Sequence, residues 1–223
     1  MAAKNLPQRL IREILHSEPS TMKKFFFPGI ALLLLVACNS EPATTAAPAV
    51  KEPEYFAGRT AFQRMYVAAR SWNLDAQGFR LSSALTKDST GHDGKSGVWQ
   101  AWFASGAKHV SKPYTWCGTN ASDVERGISW SGEDSYSPTN SSTHVFDMAF
   151  LKIDSDEAFQ VALKHGGAKL LEADPAQPVM YLLEWDAQDN ALAWHVIFGD
   201  NLKVYKLAVM VNASSGAYLR SEK

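Results

Sequence analysis

The sequence predicts an α+β fold of two tandem units, each a helix followed by an antiparallel meander. Two stretches with helical apolar spacing, 60–72 and 157–170, share the tripeptide Ala-Phe-Gln near their start (Ala61-Phe62-Gln63 and Ala158-Phe159-Gln160). Each is followed by short apolar runs separated by turn residues, and the 203–211 run alternates as a sheet covered on one face does. The two sets recur in the same order along the chain, which is how an internal repeat reads.

In the first helix Phe62, Met65, Tyr66, Ala69 and Trp72 recur at three and four residues and so share a face. A strand follows over 98–104, and Tyr114-Thr115-Trp116-Cys117-Gly118 reads as the end of another. In the second helix Phe159, Ala162 and Leu163 form the stripe. Asp154 with Glu157 three residues on makes a capping box, and Gly166-Gly167 supplies the stop. Strands are predicted over 179–185, 191–198 and 202–211, then a short one over 217–220. Turns fall at Gln188-Asp189-Asn190, Gly199-Asp200-Asn201 and 212–216. Between the halves, 98–104 aligns with 192–198, and Thr119-Asn120-Ala121-Ser122 with Val211-Asn212-Ala213-Ser214. The polar stretch 131–143 reads as a connector and a mobile surface loop.

Composition narrows the function classes. With 22 basic against 23 acidic residues and a formal net charge of -1, the chain has no field to draw in nucleic acid. No stretch reaches the about 20 apolar residues of a membrane-spanning helix. The apolar run 25–37 is short and holds Pro28 and Gly29, but it follows Lys23 and Lys24 and ends on a small residue, as an export signal does. The tetrapeptide Leu35-Val36-Ala37-Cys38 resembles the lipobox of bacterial lipoproteins. That resemblance implies cleavage before Cys38, a thioether-linked diacylglycerol on its sulfur, and usually a third acyl chain on its amine. Two or three chains suffice for stable anchoring. Asn39 stands where an aspartate commonly retains such proteins in the inner membrane, which favours the outer membrane. Residues 1–21 read either as an extended leader or as sequence upstream of a start at Met22, and the second reading is preferred. The stretch 40–54, rich in Pro, Ala and Thr, is expected to be an extended tether. With Cys38 acylated, Cys117 has no disulfide partner and is expected to be a buried thiol rather than a nucleophile.

The phrase Val209-Met210-Val211-Asn212-Ala213-Ser214-Ser215-Gly216-Ala217-Tyr218, with the helix opening 153–162 and Trp194, resembles the PepSY-like group of exported bacterial proteins. The resemblance spans 60–220 as two copies, the first much degraded. It implies helix-before-meander units and a role in peptidase inhibition or regulation, or in envelope assembly and sensing, without catalysis. The group commonly carries Asp where this chain has Asn212, so a ligand or cation role for that acid does not carry over. A turn role for Asn212 and Gly216 needs no carboxylate, since Asn tolerates left-handed angles and Gly allows positive φ.

The search for chemistry returns little. None of His16, His92, His109, His144, His165 and His195 lies three to five residues from another His or Cys, so no zinc spacing exists and no metal or cofactor is expected. Asp88, His92 and Asp93 share one loop, but it lacks the regular oxygens and closing Glu of a calcium loop and is expected to be a solvated hairpin. Asp154, Asp156 and Glu157 suit a first helical turn. His195, mid-strand, is expected to be a hydrogen-bonded structural imidazole. Trp99 and Trp102, three apart, must point to opposite sheet faces. One of them lies at a seam between units or, less favoured, in a binding patch.

The expected domains are a signal peptide over 1–37, a lipidated Cys38 with tether over 38–54, a first unit over 55–131, a connector over 132–143 and a second unit over 144–223. The expected function is a non-catalytic, lipid-anchored envelope protein that binds or regulates another protein, such as a peptidase or assembly machinery, with the membrane as its other contact. The alternative is an envelope ligand-binding module using an aromatic sheet face at Trp99, Trp102 and Trp194. A hydrolase built on Cys117 and a distant histidine ranks last.

Overall fold

Two helices that share the Ala-Phe-Gln tripeptide each lead into a meander, and the two meanders share one sheet. The computed structural model describes residues 51–140 and 143–223; the expected signal peptide, Cys38 and most of the tether lie outside them. In chain order, β1 (Phe56–Ala57) enters α1 (Gly58–Trp72). Then come β2 (Gln77–Ser83), β3 (Lys95–Ser96), β4 (Val98–Ser105), β5 (Val110–Cys117), β6 (Gly127–Trp130) and β7 (Asp134–Ser135). A 3₁₀ turn at Met148–Phe150 precedes α2 (Ser155–Ala162), and a kinked turn over Leu163–Gly167 links it to α3 (Ala168–Ala173). The chain ends in β8 (Val179–Asp186), β9 (Ala191–Gly199), β10 (Tyr205–Asn212) and β11 (Tyr218–Glu222).

The large sheet runs β11-β10-β9-β8-β2-β4-β5-β6, with β7 beside β5 and every pairing antiparallel. Each half contributes a meander, and the first strands of the two, β2 and β8, pair at the centre with Leu81 opposite Leu183. The mirrored order makes an approximate two-fold axis through the sheet. Both helices cover the same face, where Phe62, Met65, Phe159, Leu81, Leu183 and Val196 belong to one core. A smaller apolar cluster on the opposite face, Met180, Leu182, Ile197, Ala208 and Met210, receives no helical residue.

At the axis, Trp99 of β4 and Trp194 of β9 meet edge to face, with centroids 6.3 Å apart and neither ring exposed. Their indole N–H groups each donate at 2.9 Å to the carbonyl just before a helix N-cap, Trp99 to Phe56 and Trp194 to Ile153. The two tryptophans therefore occupy matching places on either side of the axis. This corrects the sequence alignment, which paired 98–104 with 192–198 and was one residue out. Such a slip would move each indole to the other sheet face. Gly58 lies against this pair: a Cβ there would sit 2.4 Å from Trp194 Cη2 and 3.0 Å from Trp99 Cη2.

Other expectations need correction. The second helix does break where expected: His165 (φ -108°, ψ 35°) and Gly166 (φ 111°) leave helical geometry, and what the sequence did not predict is that a second short helix, α3, follows at once. The loop between β2 and β4 is a solvated hairpin only in part: Lys87, Asp88, Thr90 and Asp93 are exposed, but the glycines are not. Gly91 and Gly94 are buried, with φ 76° and 80°. Gly91 O accepts from Tyr181 Oη, Gly94 O accepts from Ser155 Oγ, and Thr90 O accepts from Val179 N at 2.9 Å. The segment straps the first half to the second. Part of the expected mobile connector is ordered too: β7 pairs with β5, and Tyr136 is buried, its N–H donating to His109 O at 2.9 Å. β10 begins at Tyr205 rather than 202.

Because Gly58 faces two buried rings, Gly58→Ala is expected to cost about 1–3 kcal/mol by overpacking. Urea unfolding of the folded domain checks it, and an unchanged midpoint would contradict the account of the seam.

Candidate functional site

The three tryptophans expected to form a sheet-face patch do not share a surface. Trp99 and Trp194 are fully buried at the axis. Trp102 lies on the opposite face, half-buried, with the Arg80 guanidinium 5.7 Å from its ring and Arg80 Nε 3.6 Å from Glu184 Oε2. The period of two along β4 separates Trp99 from Trp102.

The aromatic surface is elsewhere. Trp130, at the end of β6, is 60 % exposed. Tyr114 lies 6.0 Å from it, and Lys112 Nζ sits 5.8 Å from the Trp130 ring and 5.7 Å from the Trp72 ring. The ammonium is thus flanked by two indoles, a cation–π arrangement. Trp72 Nε1 donates to Glu133 Oε1 at 2.6 Å, which fixes the far ring. Trp130 is not among the residues the sequence singles out. Its exposure follows from β6 being the last strand of the sheet, a non-local fact.

A cleft of about 700 Å³ opens between the strap and the segment before β8, lined among others by Thr86, Asp88, Thr90, His92 and Pro178. Several of its polar groups already have partners, whereas the buried Thr86 Oγ1 makes no hydrogen bond. Asp88 Oδ2 accepts from Tyr55 Oη at 2.6 Å and from Thr119 Oγ1 at 2.5 Å. Burial works to raise the Asp88 carboxyl, but side-chain hydrogen bonds, that from Thr119 first and that from Tyr55 among them, outweigh it and hold it below the ordinary carboxylate range. The bond to Asp88, with burial, pushes the Tyr55 hydroxyl up. His92 Nε2 lies 2.6 Å from Gln177 O, so that nitrogen carries the proton. Asp93 Oδ1 accepts from Lys95 N at 3.0 Å. The three residues that share this loop therefore have three separate tasks. Among the described residues, no three His, Cys, Asp or Glu side chains converge to hold a metal ion.

Cys117 is buried and free, its Sγ 3.1 Å from Thr119 O and 3.3 Å from Ser122 Oγ. At the 212–216 turn, Asn212 Oδ1 accepts from Ser214 N at 2.9 Å and Ser215 N at 3.0 Å, and Gly216 takes φ 75°. An accepting oxygen is all the turn asks of that side chain.

No protein-family model matches the chain, and no curated protein sequence does. Among solved structures, the chain is similar to a protein of Clostridium difficile 630 described as a candidate lipoprotein. The two share 12 % identity and a TM-score of 0.48, over 77 % of this chain and 95 % of the other.

His195 on β9 faces Asp186 Oδ2 at 3.7 Å, beyond hydrogen-bond distance, and its Nε2 makes no hydrogen bond, which corrects the expectation of a hydrogen-bonded imidazole. Around it stand Glu184, Asp186, Arg220 and Glu222. Burial lowers its pKa below the ordinary histidine value, against the pull of Glu184 and Asp186. Arg220 holds Asp186 at 2.6 Å and also pairs with Asp189 and Glu222, so it, rather than a neutral His195, is the cation that serves Asp186 near pH 7. Folding thus excludes a proton that the unfolded chain takes up below about pH 6.5, and stability is lost as pH falls from there toward the folded pKa. The melting temperature is expected to fall from pH 7 to pH 5, and to fall less in His195→Gln. Equal slopes for both would contradict this reading.

Proposed function

We propose that this chain is a lipid-anchored envelope protein, held at Cys38 with the outer membrane as the favoured site, whose PepSY-like α+β domain binds another protein and performs no catalysis. The observation that supports it is the division of labour among side chains. Asp154 and Ser155 bind helix N-termini, Arg220 ties β11 to Asp186 and Asp189, and Asp88 fixes Tyr55 and Thr119. In these clusters nucleophile, base and orienting group do not come together in the way group transfer requires. Large apolar side chains remain exposed, among them Trp130 at 60 %. A peptidase or assembly machinery of the envelope is the partner class that the resemblance implies.

The alternative, an envelope ligand-binding module, moves with the aromatics: its contact surface would be Trp130 flanked by Lys112 and Trp72, not Trp99 and Trp194.

Tagged full-length chain and Cys38→Ser are to be grown with an alkyne fatty acid, crosslinked in the envelope of the source cells and purified. The reading expects the fatty-acid label on the wild-type chain alone and one protein partner captured only by the acylated chain. Equal labelling of both would remove the anchor. Absence of a protein partner with either version would favour the ligand-binding alternative.

A further inference from the structure

We propose that the aromatic end of the first half, Trp72, Leu74, Ile128 and Trp130 around Lys112, rests on the phospholipid surface of the membrane that holds the anchor, its rings at the boundary of headgroups and acyl chains. The proposal rests on the lipid anchor at Cys38 and adds a second membrane contact to it.

The patch draws on two parts of the fold. Leu74, just past α1, is 80 % exposed and Trp130 60 %. Trp72, at the end of α1, is half-buried, and Ile128, also exposed, stands two residues before Trp130 on the same face of β6. Lys112 Nζ, within 6 Å of the Trp72 and Trp130 rings, draws the two parts together. These are the residue types of a membrane interface, where an indole keeps its ring in apolar surroundings and its N–H in the wet layer. A lysine there lays its stem along apolar surface and keeps its ammonium among the headgroups. Trp130 Nε1 makes no hydrogen bond among the described residues and is free to donate to a phosphate or ester oxygen. Glu133 accepts from Trp72 Nε1, so Lys112 and Glu133 give the patch one charge of each sign, as a zwitterionic headgroup layer has.

The chain outside the described residues says why a membrane covers this end. Arg126 donates at 2.6 Å to Lys51 O and to Glu52 O, and Glu54 N donates to Gly118 O at 2.9 Å. The chain coming from Cys38 is thus fastened to the residue just before β6. From Arg126 to Trp130 is about 13 Å of extended strand. Residues 38–51 reach at most about 45 Å even when fully extended. The anchor therefore meets the domain at the end that carries the patch. A contact linked in this way meets its surface at an effective concentration in the millimolar range. A few side chains that would never hold a free domain on a bilayer are then enough, and no protein-sized interface is required.

The test uses the full-length acylated chain in phosphatidylcholine vesicles, with and without bromine on the upper part of the acyl chains, and reads tryptophan emission. Trp99, Trp116 and Trp194 are buried and lie beyond the reach of the bromine. The expected result is bromine-dependent quenching in the wild type, most of it lost in Trp130→Phe, which removes the reporter and keeps an apolar ring. Leu74→Glu keeps every indole and alters a side chain that the fold leaves exposed, and it should lower the quenching severalfold. Quenching undiminished in both variants overturns the proposal. If the chain floats with the vesicles but shows no bromine-dependent quenching, the anchor stands, the docking falls and the patch is left to a protein. Crosslinked dimers that shield Trp130 from the bromine would assign it to a second copy and also overturn the proposal. If the chain carries no lipid and does not float, the anchor falls and the proposal with it.

Discussion

The carboxylate of Asp154 sits where the N-termini of two helices meet, and much of the molecule follows from that meeting. Two helix N-termini are two positive dipole ends, with amides that lack intrahelical partners. Asp154 Oδ1 accepts from Arg59 N of α1 at 2.8 Å and from Ser155 N of α2 at 2.7 Å. Ser155 Oγ accepts from Gly58 N at 2.8 Å. The N-cap of α1, Ala57, has no side chain to offer. The first helix is thus closed by the second half of the chain, from a carboxylate that is itself only 6 % exposed. The halves resemble each other in plan, yet the first is incomplete without the second.

This junction sets what lies around it. Gly58 must be glycine because the helix start presses on Trp99 and Trp194, whose N–H groups in turn hold the two carbonyls leading into the helices. The strap between β2 and β4 closes the same point from the other side, with Gly94 O on Ser155 Oγ. With the centre fixed, the two meanders extend outward from β2 and β8, and their last strands become the ends of one sheet. The contrast between a charged β11 and an apolar, exposed β6 therefore arises far from the junction but depends on it for register and position.

Much of this plan was legible where the signal is local. The capping box at Asp154 and Glu157 was readable because its partners lie three residues apart, and Glu157 Oε1 does accept from Asp154 N at 3.2 Å. The α1 stripe was readable from spacing, and Phe62, Met65 and Ala69 are fully buried. What could not be read was long-range. Asp154 reaches Arg59 across 95 residues, and nothing near Ala57 announces a cap borrowed from elsewhere. Trp194 looked like a surface candidate until its partner Trp99 was seen across the axis. Trp130 differs from the buried tryptophans only by standing on the last strand, which the order of pairing decides. The glycines of the strap read as loop residues, although Gly91 and Gly94 are buried against the second half.

The measurement that bears most directly on this account is amide hydrogen exchange at Arg59 in Asp154→Ala. If one carboxylate closes both helices, exchange at this amide should speed up by about tenfold, the equivalent of one lost cap, together with the first turn of α2. Faster exchange confined to α2, with Arg59 as slow as in the wild type, would contradict the shared cap and the interdependence of the two halves built on it.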